Sequence, residues 1–214
     1  MITRVKKIEV LCTDADGVLN DLEAFQRWMI VDYYRQTGKP MPKVINPNGY
    51  DVTKMYEIGK LRRNIIWLQY FKQYCLEHPA RPKTFETLKK IQSMGIQVPI
   101  VTSRAFVTTP ILKHTARDWF EEWLELNEFE PDGIDYCVEK GSGPAKAAAV
   151  QKRKGDLMID DKNDNFDAIL EVCDTVGFPA MYNRDYVPEN KPHDFYWAPN
   201  YWEDVEEIVM KRNG

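Results

Sequence analysis

The chain has 214 residues, of which 43% are hydrophobic and 29% are charged, and its formal net charge is −4. The composition is ordinary for a globular protein, and the length suits one α/β domain with a smaller appendage. Because no basic block offsets the acidic balance, duplex nucleic acid is a poor partner, whereas local positive charge or a metal would still attract a small phosphorylated substrate.

Two features of the sequence bear on its location in the cell. No segment approaches the roughly 20 apolar residues of a membrane-spanning helix, and the apolar run after Lys7 is too short for a signal peptide. The cysteines are far apart and form no CxxC pair, which favours free thiols in a reducing compartment over a disulfide framework. We therefore expect a cytoplasmic protein that does not associate with membranes.

The first part of the chain is expected to form one strand followed by helices. Residues 8–13 are a short apolar, β-prone run that predicts the first strand, and this run ends abruptly at Asp14. Helices are expected at 22–38 and 54–77. Prolines, glycines and asparagines predict an irregular loop between them, at 39–53.

The remainder of the chain alternates between β-prone runs and helical segments. This alternation predicts an α/β fold with a doubly wound parallel sheet. The further predicted strands are 97–101, 134–138, 156–159 and a shorter one near 175–177, and the predicted helices are 83–94, 109–127, 144–153, 163–172 and 201–212.

The region between the first two strands is longer than a single crossover needs. Two long helices lie there, whereas one helix suffices to connect neighbouring parallel strands. We therefore predict a small helical cap at 22–79, inserted after the first strand, and an α/β core formed by 1–21 and 80–214.

Three predicted strands end in polar residues that can carry chemistry. These residues are Asp14 and Asp16 after the first strand, Thr102 and Ser103 after the second, and Asp160–Asp161 after the fourth. The carboxyl ends of parallel strands share one edge of a sheet, and ligands bind there. We expect these side chains to meet in one cleft, although they are far apart in the sequence.

The residue types in this cleft indicate metal-assisted phosphoryl transfer. Crowded carboxylates repel one another unless a cation lies between them, and hard oxygen ligands suit Mg²⁺. One carboxylate can attack phosphorus and form an acyl phosphate, and a second can act as general acid and base. Gly17 permits the sharp turn that presents both acids. Thr102, backbone N–H groups and a lysine can donate to the phosphoryl oxygens.

These motifs resemble those of the haloacid dehalogenase-like (HAD) hydrolase superfamily. The run DADGVLND at 14–21 is similar to its first motif, Thr102 closes a strand as in the second, and LMIDD at 157–161 resembles the fourth. The resemblance implies a Rossmann-like HAD core and an aspartyl-phosphate intermediate. It also implies that Asp14 is the nucleophile and that Asp16 is the general acid and base.

The same resemblance implies a magnesium site and a phosphate site. Mg²⁺ would be bound by Asp14, by the backbone carbonyl of Asp16 and by Asp160, with Asp161 or Asp164 acting through water or from behind the ligands. The phosphate would be held by Thr102, Ser103 and Lys146.

The lysine of the third motif is assigned to Lys146. This residue lies near the start of the helix before the fourth strand, and one extra helical turn would place it in phase with the acidic pair. Lys140, Lys152 and Lys154 are alternatives in the same part of the chain.

Within the superfamily, the chain is most similar to the 5'(3')-deoxyribonucleotidase branch. The similar stretches are DADGVLNDLEAF, IVTSR, WFEEWLELNEFEPDGIDY, DLMIDDKNDN, MYNRDY and PNYWEDVEEI. This resemblance implies a small phosphorylated substrate such as a nucleoside monophosphate. Leu22 replaces an aromatic residue that often stacks on a base in this branch, so a sugar or other small phosphate stays an alternative substrate.

Other interpretations of the same residues stay open. The fold could serve a non-catalytic phosphate sensor, although the retained Asp14 and Asp16 favour an enzyme. Asp160–Asp161 could cap the helix expected from Asn163, and Arg104 could be a surface residue.

Overall fold

The computed structural model describes residues 6–104, 108, 110, 113–137, 142–189 and 191–214. Within these ranges, six parallel strands form one sheet in the order β3-β2-β1-β4-β5-β6. The strands are β1 (Leu11–Thr13), β2 (Ile100–Thr102), β3 (Ile134–Tyr136), β4 (Leu157–Asp160), β5 (Asp174–Gly177) and β6 (Phe195–Trp197). This is the doubly wound α/β fold that the sequence predicts, extended by β6, which was not predicted.

Eight α-helices of the described residues connect and flank these strands. They are α1 (Leu22–Thr37), α2 (Val52–Met55), α3 (Lys60–Lys72), α4 (Thr84–Ser93), α5 (Ala116–Leu126), α6 (Ser142–Arg153), α7 (Asn163–Ile169) and α8 (Trp202–Asn213). Helix α3 continues into one π-helical segment, Gln73–Glu77. None of the described helices has the length and apolar character needed to cross a bilayer.

The central strand, β1, determines where a ligand can bind. It lies between β2 and β4, with Thr13 in register with both Ile100 and Ile159. The strand order reverses direction at β1, and such a switch point leaves a crevice at the carboxyl ends of the strands. Asp14 follows β1 directly, and Asp160 is the last residue of β4, so both lie at this crevice.

Alternating strand residues fill the two faces of the sheet. Leu11 packs in a cluster with α4, α5 and α8, whereas the next residue, Cys12, packs in a second cluster with α6 and α7. This alternation is the period of two expected for a strand whose two faces are both covered by helices. The described cysteines carry free thiols, as the sequence predicts.

The helices between β1 and α4 pack around a third apolar cluster of their own. This cluster joins α1, α2, α3 and the π-helical segment, and Ala116 and Trp119 of α5 complete it. Helix α1 begins where Asp21 Oδ1 accepts a hydrogen bond from the Ala24 N–H at 3.0 Å, and it ends at Gly38, whose φ is 64°. The division into core and cap at 22–79 stays a prediction.

Several predicted boundaries differ from the structure. The helix expected at 54–77 is split in the structure. The short helix α2 ends at Met55, and a new helix, α3, begins after its N-cap residue, Gly59. The helix expected from 109 begins at Ala116, where Thr115 and Asp118 form a reciprocal capping box. The end of the strand expected at 134–138 lies outside the described residues.

Candidate active site at the carboxyl edge of the sheet

Three carboxylates meet where β1 and β4 end. Asp14, Asp160 and Asp161 each offer an oxygen atom, and these atoms lie within 4.8 Å of one another. All three residues are buried. The pairing of the strands produces this arrangement, because the Asp14 N–H donates to the Ile159 carbonyl at 2.9 Å. The structure therefore brings Asp14 together with an acidic pair that begins 146 residues later in the sequence.

Gly17 allows the turn after β1 to approach this cluster. Its φ is 84°, in the left-handed region that favours glycine. A Cβ atom at this position would overlap the Asp161 carboxylate. Both the backbone conformation and the space therefore require a residue without a side chain.

Lys146 joins two of the three carboxylates. It projects from α6 and is 1% exposed, and its Nζ donates to Asp14 Oδ2 and, at 2.7 Å, to Asp160 Oδ2. Of the alternatives considered from the sequence, Lys152 and Lys154 are exposed to solvent, and Lys140 lies outside the described residues. Within the described ranges, Lys146 is thus the lysine that lies at the acidic cluster.

Hydrogen bonds fix the orientation of Asp160. Its Oδ1 accepts from the backbone N–H groups of Asp161 and Lys162, each at 2.9 Å, and from Asn165 Nδ2 at 2.9 Å. Helix α7 starts after Lys162 and receives no side-chain cap. Asp160 is therefore not a simple helix cap, and its carboxylate faces the cluster. Asn165 was not predicted as a site residue, although it lies only four residues after Asp161.

The electrostatics of the cluster indicate a need for positive charge. Burial raises the pKa of Asp14 to about 7, and the charge of Asp160 adds to this rise while Lys146 opposes it. Burial, with the charges of Asp160 and Asp14, holds the pKa of Asp161 well above its ordinary value. Burial lowers the pKa of Lys146, but the two acids outweigh burial and raise it, so the ammonium group stays protonated. One lysine does not neutralise three buried acids.

Asp16 lies outside the three-acid group and has different partners. Arg104 Nε donates to Asp16 Oδ1 at 3.1 Å, Arg104 Nη2 donates to the same oxygen, and Tyr74 Oη donates to it at 2.6 Å. Burial raises the pKa of Asp16, but the charge and hydrogen bonds of Arg104, with the Tyr74 hydrogen bond, outweigh burial and lower it. Asp16 is therefore ionised in this arrangement.

Arg104 is not a surface residue. It is 4% exposed, and its guanidinium group lies 4.2 Å from the centroid of the Phe120 ring. The reading of Arg104 as a solvated side chain is wrong because the residue follows a buried strand, β2, and pairs with an acid on the neighbouring strand end. Tyr74 was likewise missed as a partner of Asp16.

The second strand end presents two hydroxyl groups. Thr102 is fully buried as the last residue of β2, and Ser103 follows it. In the part of the chain that the structure describes, neither hydroxyl oxygen has a hydrogen-bond partner. Buried hydroxyls without partners are costly unless a ligand or water satisfies them. They are therefore available to an oxyanion.

Asp164 does not join the cluster. Its side chain is 81% exposed, and its Oδ2 lies 3.6 Å from Lys162 Nζ, so it points into solvent rather than toward the acidic cluster. Tyr182 contacts the site instead: its hydroxyl donates to Asp161 Oδ2, and Asn183 Nδ2 donates to the Asp161 carbonyl at 2.5 Å. Neither residue was predicted as a site residue, although both lie in the stretch MYNRDY that contributes to the resemblance, because their contacts with Asp161 join segments about 20 residues apart.

The donor set of the cluster fits Mg²⁺. The atoms that Asp14, Asp160 and Asp161 offer are all carboxylate oxygens, which are the ligands that small, hard cations prefer. Gly17 keeps this corner free of side-chain atoms. A divalent cation here would also offset the charge repulsion that raises the pKa of Asp14 and Asp161.

Comparison with known proteins shows a fold but no relative in sequence. No family model matches the chain, and no curated protein matches it. Among solved structures, a haloacid dehalogenase-like hydrolase from Streptococcus pneumoniae superposes with a TM-score of 0.63 at 17% sequence identity, covering 94% of this chain and 98% of its own.

Two further solved structures have similar coverage. A predicted phosphoglycolate phosphatase from Haemophilus somnus gives a TM-score of 0.57 at 16% identity, covering 98% of this chain and 100% of its own. CbbY from Rhodobacter sphaeroides, in complex with xylulose-(1,5)bisphosphate, gives 0.56 at 13% identity, covering 92% of this chain and 96% of its own. The chain therefore has the fold of HAD-superfamily hydrolases, with a buried cluster of acids at the carboxyl edge of its sheet.

Proposed function

We propose that this protein is a Mg²⁺-dependent phosphomonoester hydrolase that works through an aspartyl-phosphate on Asp14. One observation carries the proposal: the Asp14 carboxylate shares a buried site with Asp160 and Asp161, and Lys146 joins it to Asp160. This is the arrangement that a carboxylate nucleophile, a metal and a bound phosphate require together.

Of the residues around Asp14, one orients its carboxylate and others would bind the phosphate. Asp14 Oδ1 accepts from the Ala15 N–H at 2.7 Å, which fixes the carboxylate. Thr102 and Ser103 offer hydroxyls without partners among the described residues. With the Lys146 ammonium group, they would donate to the phosphoryl oxygens as charge shifts during transfer.

Asp14, Asp160 and the backbone carbonyl of Asp16 would hold Mg²⁺, with Asp161 bound directly or through water. The ion would supply positive charge that keeps the acids ionised and draws in the phosphate. Asp164 stays outside this set, because its carboxylate is exposed.

Asp16 is proposed as the general acid and base. Its lowered pKa makes it a carboxylate in the structure, which suits the removal of a proton from the water that hydrolyses the intermediate. To protonate the leaving alkoxide, Asp16 would first take up a proton from solvent, as entry of the substrate weakens its pairing with Arg104. The helices at 22–79 would act as a cap that excludes water during the first step.

The proposed substrate is a small phosphate ester, and a nucleoside monophosphate is our first candidate, from the resemblance of the motifs. A sugar or other small phosphate is the second, and two observations favour keeping it. Leu22 lines the cavity beside the site in place of a base-stacking aromatic residue, and CbbY with the same fold was solved with a sugar bisphosphate.

Substitution of the nucleophile tests the reaction. In Asp14→Asn, turnover of 4-nitrophenyl phosphate with Mg²⁺ should fall by at least about a thousandfold, because an amide cannot form the acyl phosphate. Asp185→Asn, which removes an acid that is 93% exposed, should keep the wild-type rate. Activity that survives in Asp14→Asn would exclude Asp14 as nucleophile, and phosphate binding without turnover in the wild type would indicate a sensor.

A substrate panel tests the finer assignment. If the enzyme is nucleotidase-like, its kcat/KM for nucleoside 5'-monophosphates should be higher than its kcat/KM for sugar phosphates. The reverse order would establish the sugar phosphatase alternative, and equal, low rates across the panel would contradict both.

A further inference from the structure

A large cavity lies next to the candidate active site. Its volume is about 630 Å³, and Asp16, Ser103 and Arg104 form the end that faces the strand edges. Leu22, Trp67, Leu68 and Phe71 form its apolar walls. Cavities of this size enclose whole small ligands, so the part of a substrate that is not phosphate has room here.

The charged residues that line this cavity are paired with one another. Arg104 is paired with Asp16, and Arg63 Nη1 lies 3.3 Å from Asp51 Oδ2. Among the described residues, these two arginines and two aspartates are the cavity's only acidic and strongly basic side chains. In this paired state the lining has no net charge, and Arg63, which takes no part in the proposed reaction, offers no uncompensated cation to a second anionic group of the substrate.

Several polar atoms of the lining lack partners. Gln26 is 3% exposed on α1, and its Oε1 accepts no hydrogen bond; Arg104 Nη1 and Arg63 Nε donate none within the described part of the chain. A buried polar atom without a partner costs free energy. Three residues of the lining thus carry one acceptor and two donors without partners.

We propose, on the basis of the proposed hydrolase function, that this cavity selects phosphate esters whose leaving group is uncharged, carries a ring and offers both a hydrogen-bond donor and an acceptor. Gln26 receives the donor, and Arg104 Nη1 and Arg63 Nε bind the acceptor. Asp51 determines the specificity, because its pairing with Arg63 removes the charge that a carboxylate or a second phosphate on the leaving group would need.

Three aryl phosphates that differ at one position provide the probes. 4-Carbamoylphenyl phosphate is uncharged at the ring and has a donor and an acceptor, 4-carboxyphenyl phosphate is anionic there, and phenyl phosphate has neither group. The wild type should show a kcat/KM about tenfold or more higher for the amide than for the carboxylate, because a buried charge without a partner is costly.

Substitution of Asp51 tests the role of charge. In Asp51→Asn, the amide-to-carboxylate ratio should fall by about tenfold, because Arg63 becomes free to pair with the carboxylate of the substrate. Asparagine retains an oxygen that can accept from the Thr53 N–H, as Asp51 does at 2.8 Å, so the start of α2 is kept. Asp118→Asn is the matched control, since it removes an exposed acid at the start of α5. The substrates differ in the acidity of their leaving groups. This difference cancels when the amide-to-carboxylate ratio of a variant is divided by that of the wild type, because both proteins receive the same substrates.

Substitution of Gln26 tests the hydrogen bond. In Gln26→Met, which keeps the length of the side chain, the preference for the amide over phenyl phosphate should fall by about tenfold, chiefly through KM. Gln151→Met, on the exposed side of α6, should keep the wild-type preference. Thermal melting of each variant establishes that it is folded.

An amide-to-carboxylate ratio of one or below in the wild type overturns the proposal, as does an unchanged ratio in Asp51→Asn. If none of the three phosphates is hydrolysed, the proposed function fails, and isothermal titration with 4-hydroxybenzamide and 4-hydroxybenzoate then decides whether the cavity prefers an uncharged group. Tighter binding of 4-hydroxybenzamide than of 4-hydroxybenzoate supports a cavity for uncharged groups, and equal or weaker binding overturns it.

Discussion

Gly17 determines how closely the turn after β1 can approach the Asp161 carboxylate. Two separate physical requirements act on it: a positive φ of 84° and the absence of a Cβ atom that would overlap Asp161. The first requirement concerns backbone stability, whereas the second concerns the geometry of the acidic cluster. Substitutions can separate the two.

Gly17→Ala should lose Mg²⁺ binding and turnover, because the new methyl group displaces the Asp161 carboxylate. Gly95→Ala is the matched control, since Gly95 has a φ of 82° and nothing within 4 Å of an added Cβ. Both variants should lose about 1–2 kcal/mol of unfolding free energy from the positive φ. Isothermal titration with Mg²⁺ and urea unfolding measure the two effects. Mg²⁺ binding by Gly17→Ala as tight as that of Gly95→Ala would show that the contact is unimportant.

At the scale of elements, Asp156 joins the starts of β1 and β4, the two strands that carry the acids. Its Oδ2 accepts from the backbone N–H groups of Glu9 at 2.8 Å and Val10 at 3.1 Å, and Lys6 pairs with its other oxygen. Burial raises the pKa of Asp156, but the hydrogen bonds from Lys6, Glu9 and Val10 outweigh burial and lower it. The folded state therefore favours the ionised form.

Asp156→Asn should lower the free energy of unfolding at neutral pH by about 1–2 kcal/mol, because hydrogen bonds to a charged acceptor are replaced by weaker ones. Since the folded-state pKa is lowered, this contribution is present above the ordinary value of 3.8 and disappears as the pH falls through the folded-state pKa. Urea unfolding at neutral pH and below pH 3.8 measures the difference, with Asp185→Asn as control. A difference that does not shrink in acid would contradict this role.

At the scale of the whole molecule, local patterns predicted most of the sheet. Strands β1, β2 and β4 lie in apolar, β-prone runs and are fully buried, as is typical of strands covered on both faces. Strand β6 was missed because Phe195–Trp197 lies between polar and proline-containing segments and pairs with β5 alone among the described strands. Its position depends on tertiary pairing.

The site residues that directly follow a strand could be predicted from the sequence. The site residues that are held by contacts between distant parts of the chain could not. The acids after β1 and β4 and the hydroxyls after β2 follow from the order of a parallel sheet. Tyr74 and Arg104 are 58 and 88 residues from Asp16, and no local pattern indicates such pairs. Asp164 resembles a site residue in sequence, but its position on α7 leaves it in solvent.

The attack of Asp14 on phosphorus is tested most directly by a crystal structure of the protein with Mg²⁺ and beryllium fluoride, which mimics an acyl phosphate. We predict a beryllium fluoride adduct on the Asp14 carboxylate, contacted by Lys146 Nζ and Thr102 Oγ1, with Mg²⁺ bound against Asp160. An adduct on another side chain, or Mg²⁺ bound away from both Asp14 and Asp160, would contradict the proposed reaction.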